Sequence, residues 1–197
     1  MKSARNIILS VDEMKILSDG YQEDIKAINK DKTLSPFGKS EKAKTRKALY
    51  EAEQEKAEKM WVNAWAAFRT EAKAHGESTT IQDRSAVMQT IMAVGDNMNK
   101  DMLEAVLDPI KRDVSALQLA RPLIEKQGLE DVFAETNAGR YLTAASRLES
   151  FAKAAEVEGK ELVKDTDGLR FGIRKGIMTQ FLQAAEEQYN ILKELEG

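Results

Sequence analysis

Four stretches of this chain hold side chains whose type and spacing could do chemistry. Phe37-Gly38-Lys39-Ser40 ends like a phosphate-binding loop. Such a loop needs Gly-x-x-x-x-Gly-Lys-Ser/Thr after a strand, so that successive backbone N–H groups turn inward on the phosphates. Here the first glycine position holds Thr33, and Pro36 removes a donor from the turn, so the cradle cannot form. Glu55 and Glu58 have the Glu-x-x-Glu spacing of a helical magnesium site, but no second acidic pair falls where a facing helix would supply it. A di-iron bundle needs Glu-x-x-His twice. The only histidine, His75, follows Glu71 by four residues, so it reads as a surface group or a cation at a helix end. Cys is absent, which removes thiol nucleophiles, disulfides and Cys-bound zinc together.

The third stretch is the basic cluster Lys39, Lys42, Lys44, Arg46 and Lys47. Cations at a helix N-terminus oppose the macrodipole, so their concentration there calls for a reason. Phosphate neutralisation is one reason, since it gives salt-dependent affinity. Against it, no aromatic is interleaved, and Glu51, Glu53, Glu55 and Glu58 follow at once. A solvated helix face or a protein contact is favoured over nucleic acid. The fourth stretch is the run from Asp167 to Met178, where Gly168, Gly172 and Gly176 recur every four residues and so share a helix face. Each interior glycine costs a helix about 1 kcal/mol, which points to the close approach of another backbone. Arg170 and Arg174 flank that face and offer a weaker reading as an anion or nucleic-acid contact.

The elements that must position these groups read as helices throughout. A capping box at Ser10–Glu13 starts a stripe through Val11, Met14, Leu17, Tyr21, Ile25 and Ile28 that ends near Asp31. Ser35 and Pro36 open a second helix reaching about Ala74, with Gly76 as its stop. Its expected stripe is Leu49, Ala52, Ala57, Met60, Ala64, Phe68 and Ala72. Trp61, Trp65 and Phe68 then form either an anchor between parts of the chain or an interface between chains. Gly76 to Thr80 is a linker, and Thr79 or Thr80 caps a third helix running through Ile81, Met88, Ile91, Gly95, Met98, Met102 and Val106 to Pro109. Met88, Met92, Met98 and Met102 are read as core. Pro109 and Pro122 break or kink the pattern, Gly128 closes a short turn, and helices follow at about 137–158 and 166–196.

The expected fold is all-α: a helical hairpin arm at 1–75, a linker at 76–80 and a compact multi-helix bundle at 81–197. Charge divides at the same place. Residues 1–75 hold 15 Lys/Arg against 12 Asp/Glu, while the whole chain is at -3. A mildly basic arm and an acidic body favour head-to-tail or heterologous protein contacts over a global field for nucleic acid. The N-terminal apolar run is too short for a signal-peptide core, and no apolar stretch reaches membrane-spanning length.

Residues 29–59, with Leu34, Ser35, Gly38 and Lys39 at the turn, resemble small helical proteins from the virion-assembly gene block of tailed bacteriophages and prophages. That resemblance implies a Leu-Ser-x-x-Gly-Lys turn between two charged helices, and a bacterial cytoplasmic or virion-associated setting. It carries no catalytic motif. The expectation is a non-enzymatic structural, assembly or adaptor protein without cofactor, metal, membrane or small-molecule substrate. Its interface candidates are Trp61, Trp65, Phe68, Gly168, Gly172 and Gly176. The alternative is a nucleic-acid-binding or regulatory protein using Lys39 to Lys47.

Overall fold

The computed structural model describes residues 1–163 and 168–196. Among them every regular element is helical: α1 (Lys2–Lys30), α2 (Pro36–Lys73), α3 (Ile81–Val94), α4 (Lys100–Leu107), α5 (Val114–Lys126), α6 (Glu130–Glu135), α7 (Asn137–Leu162) and α8 (Gly168–Glu196). Short 3-10 turns occupy Gly95–Asn97 and Asp108–Ile110. The chain is all-α, and it forms two compact units, Met1–Arg69 and Thr70–Gly197.

In the first unit, α1 starts at Lys2 rather than Ser10. The Ser10 hydroxyl donates to the Asn6 carbonyl at 2.8 Å inside the helix, so the expected capping box does not form. Ala4, Ile7 and Val11 continue the apolar stripe towards the N-terminus, and all three are buried. Burying that longer face outweighs a cap worth about 1 kcal/mol. Asp31 closes α1, accepting from the Thr33 amide at 2.8 Å and hydroxyl at 2.6 Å, and these bonds hold its carboxyl below the usual range. Ser35 then caps α2, its Oγ accepting from the Gly38 N–H at 3.1 Å, with Pro36 as the first helical residue.

Three rungs show that α1 and α2 run antiparallel. Lys39 Nζ donates to the Asn29 carbonyl at 2.7 Å, Arg46 Nε meets Asp24 at 2.5 Å, and the Tyr50 ring stacks on Tyr21 at 4.5 Å. Each step up α2 is a step down α1. The covered side of α2 passes through Arg46, Tyr50, Gln54, Ala57, Trp61, Ala64 and Phe68. Leu49 and Met60 of the expected stripe are exposed, because the Tyr50 ring on Tyr21 sets the face about 100° round the helix from its neighbour Leu49.

In the second unit, Thr80 caps α3 by accepting from the Asp83 N–H at 3.1 Å. The long third helix expected from the pattern is divided. Asn99 accepts from the Met102 N–H at 3.0 Å and starts α4 afresh after the turn at Gly95. The break puts Leu103 and Leu107 inside and leaves Met92 and Met102 exposed, so of those two and Met98 only Met98 is core. Pro122 sits within α5, which ends at Gly128 with φ +68. There the Leu129 N–H bonds the Ile124 carbonyl at 3.1 Å and the Gly128 N–H bonds Glu125 at 3.0 Å, a Schellman closure.

Helices α7 and α8 form the backbone of this unit. Glu158 pairs with Arg174 at 3.1 Å, Phe151 stacks with Phe181 at 6.5 Å, and the Tyr141 hydroxyl donates to Glu196 at 3.2 Å. The pairs descend one helix while climbing the other, so the two are antiparallel. Leu148, Ala155, Gly159 and Leu162 of α7 are buried, as are Met178, Leu182, Ala185 and Leu192 of α8. The small residues allow close approach. Thr136, fully buried, caps α7 by accepting from the Gly139 N–H at 3.0 Å and donates to the Phe133 carbonyl at 2.7 Å. Thr136→Ala should therefore cost about 1–2 kcal/mol. A urea titration with an unchanged m-value is the check.

Candidate functional site

The most concentrated polar geometry lies where residues 74–80 meet α5 and the end of α8. Asp113, only 3% exposed, accepts from the Thr79 amide (2.8 Å), the Thr79 hydroxyl (2.7 Å), Arg84 Nη2 (2.7 Å) and the Ala116 N–H (2.9 Å). Burial pushes its pKa up, but the Thr79, Ala116 and Arg84 bonds outweigh burial and hold it at about 2. Beside it, Gly76 has φ +115, a left-handed conformation suited to glycine, and the Glu77 N–H bonds the Arg112 carbonyl at 3.0 Å.

His75 belongs to the same junction. Its side chain is 6% exposed, not a surface group as its sequence position suggests, because its Nδ1 meets Glu196 at 3.0 Å and its ring lies edge-on to Tyr189 at 4.8 Å. Arg112 Nη2 donates to the Glu196 carbonyl, and Tyr141 shares the Glu196 carboxylate. Burial, then the Glu196 charge, pushes the Tyr141 hydroxyl up to about 12. A cavity of about 160 Å³ opens here between Glu77, Thr79, Asp108, Pro109, Lys111, Arg112 and Asp113. Its charges pair with neighbours: Lys111 with Asp108 at 2.7 Å, Arg112 with Glu77 at 3.5 Å and Asp113 with Arg84 at 2.7 Å. This arrangement fastens segments together, and in it the His75 Nε2 is buried without a hydrogen-bond partner among the described residues. No cluster of three or more His, Asp or Glu side chains is placed for a metal ion among the described residues. Glu55 pairs with Lys59 at 2.7 Å, and Glu58 accepts from Gln54 at 2.9 Å.

The sequence-derived contact residues fall into three places. Trp65 and Phe68 are buried and Trp61 half-buried, with edge-on ring contacts at 5.5 Å (Trp61–Trp65) and 5.6 Å (Trp65–Phe68). Gly168 opens α8; Gly172 and Gly176 follow on its outer side, and a Cβ at either of these two would meet nothing within 4 Å. The close helix crossing expected at Gly172 and Gly176 is therefore not made among the described residues, since α8 turns Met178, Leu182 and Ala185 to its buried side instead. Leu169, Ile173 and Ile177 share the outer face with the glycines and are 75%, 56% and 36% exposed. Arg174 joins α8 to Glu158 of α7 at 3.1 Å, and Arg170 is exposed.

The third place is the tip of the α1–α2 hairpin. Lys39 and Arg46 of the basic cluster hold the hairpin together, and the Asp24 hydrogen bond raises the Arg46 pKa. Lys42, Lys44 and Lys47 are exposed on α2. The antiparallel turn brings exposed Lys26, Lys30 and Lys32 to the same end. Sequence reasoning passed over those three, along with Asp113, Arg84 and Glu196, because each gains its role from a residue distant in sequence. Only the Asp113 cap, just ahead of an amphipathic run, left a local signal.

No helix among the described residues is long and apolar enough to cross a membrane. No protein-family model, no curated protein and no solved structure matches the chain.

Proposed function

We propose that this chain is a non-enzymatic assembly or adaptor protein that works through helix-mediated contacts, with copies of itself or with a partner protein. The outer face of α8 carries this reading. Leu169, Ile173 and Ile177 surround Gly172 and Gly176 there, with nothing against the glycines. Two glycines cost a helix about 2 kcal/mol, and no close packing among the described residues offsets that cost. Their use is to let a second backbone approach, and the exposed apolar residues supply the burial that would drive the approach. The resemblance of residues 29–59 to virion-assembly proteins supports a phage or prophage setting.

The test is light scattering on a sizing column across protein concentrations, alone and with candidate partners. Ile173→Glu with Ile177→Glu should abolish the larger species and leave the melting temperature within about 3 °C of the parent, since both residues are surface-exposed. A turnover activity lost through one substitution would overturn the non-enzymatic reading.

A further inference from the structure

We infer that the tip of the α1–α2 hairpin is a sequence-independent nucleic-acid-binding site that grips the phosphate backbone. Residues 25–48 hold eight Lys/Arg, namely Lys26, Lys30, Lys32, Lys39, Lys42, Lys44, Arg46 and Lys47, against Asp31 and Glu41 alone. That is a net of +6 for the stretch in a chain whose total is -3, with Arg46 paired to Asp24 and Glu53 and Lys47 to Glu51 just outside it. Three of the eight cations lie outside α2: the turn at Asp31–Ser35 folds α1 back and brings Lys26, Lys30 and Lys32 to the same end of the hairpin as the α2 lysines. Carboxylates of the hairpin take up Arg46 and Lys47, and the remaining exposed lysines at one hairpin end repel one another, which a bound anion would lessen.

The residue types choose among polyanions. The cluster's one arginine, Arg46, is held by Asp24 at 2.5 Å and Glu53 at 3.5 Å, so no guanidinium fork is presented for reading base edges. What is presented is lysine: hydrated point charges on flexible stems, suited to phosphates in any sequence. From Lys39 to Lys47 the cations cover about 12 Å of helix, the axial length over which duplex DNA carries about seven phosphates. An anionic bilayer fits less well. At the apex Phe37, 75% exposed, is the one large apolar side chain on offer, and a single residue is too little to anchor a hairpin in lipid.

The experiment measures anisotropy of a labelled mixed-sequence 30-base-pair duplex with the full chain at 50, 100 and 200 mM NaCl. With about four phosphates neutralised, affinity should fall about 100-fold across that range. The set K26Q, K30Q and K32Q should weaken binding at 50 mM about as much as K42Q, K44Q and K47Q, each by 10-fold or more, while circular dichroism shows both folded. The control K153Q and K160Q on α7 should change nothing. Absence of binding at 50 mM, salt-independent binding, or a loss confined to the α2 set would overturn the proposal. So would binding to phosphatidylserine vesicles in place of DNA at equal phosphate. The proposal stands independently of the α8 contact, because Ile173→Glu should leave DNA affinity unaltered.

Discussion

Asp113→Ala is expected to destabilise the folded chain by about 3 kcal/mol. One carboxylate holds three segments at once: it caps α5 at the Ala116 N–H, ties Thr79 in by both amide and hydroxyl, and neutralises Arg84. Removing it leaves a cationic guanidinium and a largely covered amide without their acceptor, which costs more than the average hydrogen bond. The same group gives the fold an acid dependence. Its folded pKa, about 2, lies below the ordinary 3.8, so the unfolded chain takes up the proton first on acidification. The stabilisation is nearly complete above about pH 4 and largely gone as pH falls towards 2, and it amounts to roughly 2 kcal/mol. Urea titrations of the parent and the variant at pH 7, 4 and 2.5 should show their difference shrinking as pH falls. A constant difference would mean that Asp113 acts through shape alone.

Gly139→Ala carries the second large effect, at about 3 kcal/mol and a melting-temperature loss on the order of 10 °C. A Cβ at Gly139 would sit 2.0 Å from the Phe133 carbonyl oxygen and 2.8 Å from its carbon. Both are backbone atoms, so no rotamer can yield, and the α6–α7 corner would have to open. That corner is also where Thr136 caps α7 and bonds Phe133. Gly172→Ala is the contrasting case. Nothing stands near its Cβ, so it should gain about 1 kcal/mol of helix stability while weakening any contact made at the outer face of α8. Opposite signs for two glycine-to-alanine changes, read by thermal melts, would separate a glycine needed for the fold from one available to a partner.

The two proposed surfaces suit an adaptor. One is apolar and glycine-lined on α8; the other is cationic and made mostly of exposed lysines at a hairpin tip. A chain that grips phosphate without sequence preference at one surface and packs a helix at another can couple a protein assembly to nucleic acid without performing a reaction.

Local signals in the sequence determined much of this molecule. Ser35 and Pro36, Thr80 and Asp83, and Gly128 each mark a helix end through bonds to residues a few positions away, and the structure makes those bonds; Gly76 marks its end by a left-handed φ instead. The 3.6-residue apolar period likewise determined that the chain is helical. Where two local rules competed, burial won: Ser10 lost its cap to a longer buried face, and α2 took the register set by Tyr50 on Tyr21. The sites were decided by tertiary structure. Lys26 and Lys42, Asp113 and Thr79, and His75 and Glu196 are separated by 16, 34 and 121 positions. No helical period relates such pairs; the turn of a hairpin brings the first to one end of the hairpin, and the packing of helices brings the other two within bonding distance. Gly139 and Gly172 are the same residue in a helical context in the sequence, and only the neighbouring backbone distinguishes the one that cannot change from the one that can.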